Sequence, residues 1–152
     1  MRVVVQRVSH ASCTVDGKIT GSIDKGFMCL VGFSNDDTLE DLDLCLKKTI
    51  GLRVFEDEFG KMNKSITDVS GSILAISQFT LYADCRRGNR PSFTKAMQFD
   101  EASRLYDLFC EKIKESNIYI ERGIFGADMK IELLNDGPVT IIIDSQELKR
   151  RD

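Results

Sequence analysis

The chain has 152 residues, a 42% hydrophobic share, a 30% charged share and a formal net charge of -3. That length fits one domain over residues 1–152, able to bury roughly two thirds of its unfolded surface in one core. No apolar run approaches the length that crosses a bilayer, and the negative balance excludes general attraction to nucleic acid, so any such contact needs a local basic patch.

The opening Met1-Arg2-Val3-Val4-Val5-Gln6-Arg7 meets charge too soon for a secretory signal, so a cytoplasmic protein without membrane contact is expected. Residues 2–8 and 11–15 are Val-rich with polar residues between, predicting two strands, and Asp16-Gly17 supplies the turn of a tight hairpin into 18–23. After a turn at Asp24-Lys25-Gly26, the apolar run Phe27–Phe33 has the pattern of a strand covered on both faces.

Asp37 followed by Glu40 predicts a helix start, with Leu39, Leu42, Leu46 and Ile50 on one face and Lys47 and Lys48 near the negative end. Residues 55–72 lack periodicity and are expected to be an extended surface connection. Ile73–Ile76 begins a central strand. A second helix is predicted near Asp100, with Ala102, Leu105, Tyr106, Phe109 and Ile113 facing inward. Strands at 118–122, 129–134 and 139–144 complete the chain, the last two joined by Asn135 to Pro138.

The order is β-meander, helix, strand, helix, strands. It predicts an α/β domain of layered, barrel-like sheets with two helices, leaving sheet surface open for a symmetric partner. The five cysteines, Cys13, Cys29, Cys45, Cys85 and Cys110, are odd in number and scattered without a C-x-x-C pair, and the chain has one histidine. They are expected to be reduced thiols, mostly in the core, with no metal or cofactor.

Arg86, Arg87, Arg90 and Lys95 fall within ten residues, broken by Gly88, Asn89 and Pro91, which describes either a mobile phosphate-binding loop or an ordinary solvated one. Ser77-Gln78-Phe79-Thr80-Leu81 ends the central strand with three hydrogen-bonding side chains. Thr80 as a nucleophile needs an adjacent base, and neither motif supplies a strong one. His10 lies beside a hairpin and reads as structural. In Asn135-Asp136-Gly137-Pro138-Val139-Thr140, Pro138 cannot donate to a ladder and marks a turn or edge, with the Gly-Pro bond trans unless something holds it cis.

Together with the opening Met1–Val8, these two motifs closely resemble the D-aminoacyl-tRNA deacylase family. Gly60-Lys61-Met62-Asn63, Tyr82-Ala83-Asp84 and Arg90-Pro91-Ser92-Phe93 are similar to its intervening segments, in the same order. The resemblance implies a homodimer in which the Gly-cis-Pro pair of one subunit, matched by Gly137 and Pro138, enters the pocket of the other. It implies a site at Ser77, Gln78, Phe79 and Thr80 whose backbone amides hold the aminoacyl group, and rejection of L-substrates by collision with the Gly-Pro backbone. The RNA itself would assist the attacking water, glycyl esters would escape rejection, and Arg86, Arg87 and Arg90 become tRNA contacts. Two rival readings remain open: a non-catalytic RNA-binding dimer, and a threonine-nucleophile esterase for small molecules.

Overall fold

The computed structural model describes residues 1–150. Strand β1 (Arg2–Val15) is one continuous element where two were predicted, since His10 pairs with Leu134 and the ladder skips Ser9 without ending the strand. It turns through Asp16 and Gly17, at φ 49° and 77°, into β2 (Lys18–Ile23); both positive angles are what a type I′ hairpin requires. Strand β3 (Gly26–Gly32) is buried almost throughout. Residues 2–8 of β1 pair with β3 and residues 11–15 with β2, so one long strand holds two neighbours on the same side.

Helix α1 (Leu39–Gly51) starts one residue later than expected. Its cap is Thr38, whose N–H donates to Asp41 at 2.8 Å. Asp37 does other work: its carboxylate accepts from the Met1 ammonium at 2.5 Å and the Ser34 N–H at 2.6 Å, and Ser145 Oγ takes a second ammonium proton at 2.8 Å. Neither Met1 nor Asp37 exposes its charged group. The buried face is accordingly Asp41, Leu42, Cys45 and Thr49, with Leu46 and Ile50 at its margin and Leu39 turned out to solvent. Burial pushes the Asp41 carboxyl up, but the Thr38 N–H and the Lys149 ammonium at 2.9 Å outweigh it and hold it below the usual carboxylate range.

Residues 55–72 are more than a connection. Strands β4 (Phe55–Glu56) and β5 (Met62–Lys64) form a small hairpin, and Phe55 and Ile66 are buried, Phe55 stacking on Phe27 at 5.2 Å. Strand β6 (Ser72–Ser77) lies parallel to β3; Gly26 permits this approach, because a Cβ there would meet Ser72 O at 1.8 Å. Helix α2 (Phe99–Glu115) buries the predicted face together with Cys110, and β7 (Tyr119–Arg122) then pairs parallel to β6. Thus α1 and α2 are the crossovers of two successive parallel units, and both cover the same face of the sheet.

Strand β8 (Lys130–Asp144) replaces the two final strands predicted and runs antiparallel along β1. Thr20 of β2 donates to the Arg122 carbonyl of β7 at 3.1 Å, nearly closing the sheet into a barrel. One core fills the space between sheet and helices, and a second, around Val8, Cys13, Ile23, Leu74 and Ile76, fills the barrel. A third helix absent from the sequence reading, α3 (Ser145–Lys149), follows, capped by Asp144. Cysteines 13, 29, 45 and 110 are buried free thiols and Cys85 is exposed; burial pushes Cys45 up to about 12. No helix among the described residues is long and apolar enough to cross a membrane.

The ammonium of Met1 ties β1, α1 and α3 together in a site closed to solvent. Asp37→Ala leaves that buried cation uncompensated, which typically costs about 3–5 kcal/mol. Urea unfolding should show a loss of that order; a loss under about 1 kcal/mol would mean that the pair contributes little.

Candidate active site

A cavity of about 540 Å³ opens where β3, β6, α2 and the segment before β8 converge. Its floor is Val31 and Ile76, and its walls include Phe99, Ala102, Phe125 and Met129. Ser77, Gln78 and Phe79 form the polar rim. The close approach of this rim to β3 depends on Gly32, where a Cβ would lie 2.8 Å from Gln78 O. Gln78 N–H donates to Val31 O at 2.7 Å and ends the β6 pairing; the chain then turns through a 3₁₀ helix, Phe79–Tyr82.

The first N–H groups of such a turn have no partner within it. Among the described residues, Leu81 N–H donates to Gln78 O, whereas the N–H groups of Phe79 and Thr80 find no acceptor. Phe79 lies on the rim of the apolar pocket and Thr80, next to it, is not among the lining residues; the two leftover donors suit an oxygen that gains negative charge. Thr80 itself is exposed, and its hydroxyl is hydrogen-bonded to the Gln78 amide. An amide is not a base in either orientation. The one carboxylate in the lining, Asp128, faces solvent and pairs with Lys130 at 3.0 Å. His10 is exposed on β1 opposite Leu134 and outside the cavity.

Gly137 and Pro138 do not line this cavity, and the peptide bond between them is cis. They lie in β8 where its ladder with β1 is interrupted: Gln6 pairs with Thr140 and Val8 with Asn135, so the single residue Arg7 faces 136–139. This is a bulge within a strand, where the sequence predicted a turn between two strands. Gly137 has φ 130°, a conformation that favours glycine.

Arg7 holds the bulge, and sequence reasoning missed it. The side chain is 6% exposed; Nε donates to Asp136 O at 3.0 Å, one terminal nitrogen donates to Val54 O at 2.7 Å, and the other lies 3.7 Å from the Asp136 carboxylate. The Gln6 amide and the Thr140 hydroxyl bond across the base of the bulge. A signal existed: Val3, Val5 and position 7 share the buried parity of β1, and a charge there is out of pattern.

The basic segment is tied down. Asp84 and Ser92 exchange backbone hydrogen bonds at 2.7 and 2.9 Å, and Asn35 binds the carbonyls of Thr94 and Lys95. Arg86 grips Asp84 through two nitrogens, and this holds the Asp84 carboxyl well below its ordinary range. Arg86 is therefore engaged within the chain. Arg87 and Arg90 are exposed and have no ion pair among the described residues.

Replacing Arg7 by Met removes the donors to Asp136 O and Val54 O and should cost about 2 kcal/mol, near the middle of the range for breaking buried polar contacts. Hydrogen exchange should accelerate at 136–140 and stay unchanged at 77–80. Unaltered exchange in the bulge would show that Arg7 does not hold it.

A family profile described as D-Tyr-tRNA(Tyr) deacylase matches residues 4–144. The D-aminoacyl-tRNA deacylase of Clostridium botulinum (strain Eklund 17B / Type B) is 58% identical over 147 residues, covering 97% of this chain and 99% of the relative. The protein of the same description from Clostridium novyi (strain NT) is 55% identical over 147 residues, with the same shares covered. A solved structure of the c-Myc DNA Unwinding Element Binding Protein superposes with TM-score 0.89 at 42% identity, covering 95% of this chain and 98% of that one. A probable eukaryotic D-amino acid tRNA deacylase shares the fold at TM-score 0.79 and 19% identity, covering 94% and 98%. With the rim of the cavity and the bulge both inside the matched region, the chain belongs to the D-Tyr-tRNA(Tyr) deacylase family.

Proposed function

We propose that this chain hydrolyses the ester between a D-amino acid and the terminal ribose of tRNA, in a homodimer whose pocket is completed by the partner's bulge. One observation carries the reading most directly: an apolar cavity with the unpartnered backbone N–H groups of Phe79 and its neighbour Thr80 at one end, whose one lining carboxylate, Asp128, is exposed and paired with Lys130. Such a site works by orienting the ester and stabilising its oxyanion, which suits an ester more than an amide. Water adds to the acyl carbon, and the oxyanion is received by the N–H groups of Phe79 and Thr80. The C–O bond to the ribose then breaks, with the ribose oxygen taking up a proton. The neighbouring ribose hydroxyl orients the water, supplying from the RNA what the protein lacks.

Handedness follows from shape. With amino group and ester fixed, an L side chain points at the partner's Gly137–Pro138 backbone and collides, whereas a D side chain points away. Glycine has no side chain to collide, so glycyl-tRNA is also a substrate. The dimer is supported by the surface of β8, where Leu134 is 53% and Ile142 70% exposed along a strand that pairs on one side only. A second copy covers such an edge with self-complementary contacts.

D- and L-tyrosyl-tRNA offered to one preparation should separate the readings. Release of D-tyrosine, with L-ester turnover at least about a hundredfold slower, is expected; binding without release describes an RNA-binding module. Thr80→Ala should keep kcat within about tenfold, because the backbone donors remain. An acyl group trapped on Thr80 would establish the threonine-nucleophile esterase instead.

A further inference from the structure

Phe79 belongs to the pocket rim and also to an aromatic pair outside it. Its ring meets Phe93 edge to face, centroids 5.1 Å apart at 66°, and the two residues remain 56% and 39% exposed. A single exposed apolar side chain is ordinary, but a touching aromatic pair at a pocket mouth is a surface to be covered. Phe93 is carried on the segment that the Asp84–Ser92 bonds and Asn35 tie to the body of the protein. The same segment presents Arg87 and Arg90, which have no ion pair among the described residues, while Arg86 is engaged with Asp84.

The combination of π-faces and free guanidinium groups on a fixed support is what a single-stranded nucleic acid end requires. Bases stack on the aromatic side chains and phosphates pair with the cations. Continuity with the cavity indicates which part of the strand lies there. If the esterified terminal nucleoside enters the cavity, the chain preceding it must leave past the rim, and Phe79 is the rim. We propose that the Phe79–Phe93 pair stacks against the unpaired nucleotide preceding the esterified one, with Arg87 and Arg90 on the phosphates of that strand. This rests on the deacylase reading and adds a subsite to it. A duplex would not fit the assignment, because its bases are already stacked on one another.

The test compares D-tyrosyl-tRNA with D-tyrosyl-adenosine, the same ester on a single nucleoside that has no preceding nucleotide. Phe93→Ala should lower the ratio of kcat/KM for the tRNA to that for the adenosine ester by about tenfold, mostly through KM, and Phe93→Tyr should restore it. Arg87→Gln combined with Arg90→Gln should flatten the dependence of log KM on log salt by about 1.4 for the tRNA alone, two single-strand phosphate contacts being lost. An equal loss on both esters, or none on either, overturns the subsite, as does a change of oligomeric mass in Phe93→Ala, which would place a second copy over the pair. If wild-type protein hydrolyses neither ester, the deacylase reading itself fails, a result distinct from loss of the ratio.

Discussion

The antiparallel pairing of β1 with β8 is the constraint on which the other features depend. It runs from Arg2 with Asp144 to Thr14 with Lys130, skips Ser9 on β1, and sets aside four residues of β8 opposite Arg7. Backbone set aside within a strand has lost its ladder partners and must be satisfied in another way. The buried guanidinium contributes to this, joining the Asp136 carbonyl to the Val54 carbonyl. The outcome is a short stretch of main chain held away from the sheet by a ladder on both sides and a charged clamp beneath.

The cavity is built by the opposite device. There β6 ends because Gln78 makes its last bond to Val31, and the tight turn after it leaves two N–H groups without acceptors. Burying donors without partners is costly, so they are placed at a rim where water or substrate can reach them. Donors of this kind need no titrating side chain. A reaction run on them should depend little on pH through the protein and strongly on how the substrate is oriented.

Local signals were read correctly from the sequence where the physics is local. Asp16-Gly17 demands a hairpin, Phe27 to Phe33 demands cover on both faces, and the α2 face repeats at helical spacing. Asp37 was misread because its partner is the ammonium at the start of the chain, a contact of 36 residues that no helix-cap rule contains. Without Asp37 at the cap, the inward face of α1 shifts from Leu39 to Asp41 and Cys45. Residues 135–138 have turn composition, and composition alone does not distinguish a turn between strands from a bulge within one. The strand-end motif drew attention through its side chains, whereas the proposed donors are backbone N–H groups, which carry no residue signature and were suggested only by the family resemblance.

The central claim is that the stereochemical barrier in each pocket is main chain contributed by the other subunit. Mixed dimers test it directly. On this account a subunit with its cavity filled, Ala102→Trp, should be inactive by itself, and a subunit with a glycine inserted after Gly137 should hydrolyse both D- and L-esters. Combined with excess cavity-filled subunit, the second subunit's open pocket faces an intact bulge. The account predicts that D-ester hydrolysis persists and L-ester hydrolysis disappears from that mixture. L-ester hydrolysis that persists in proportion to D-ester hydrolysis would contradict it, placing the barrier within the same chain as the pocket.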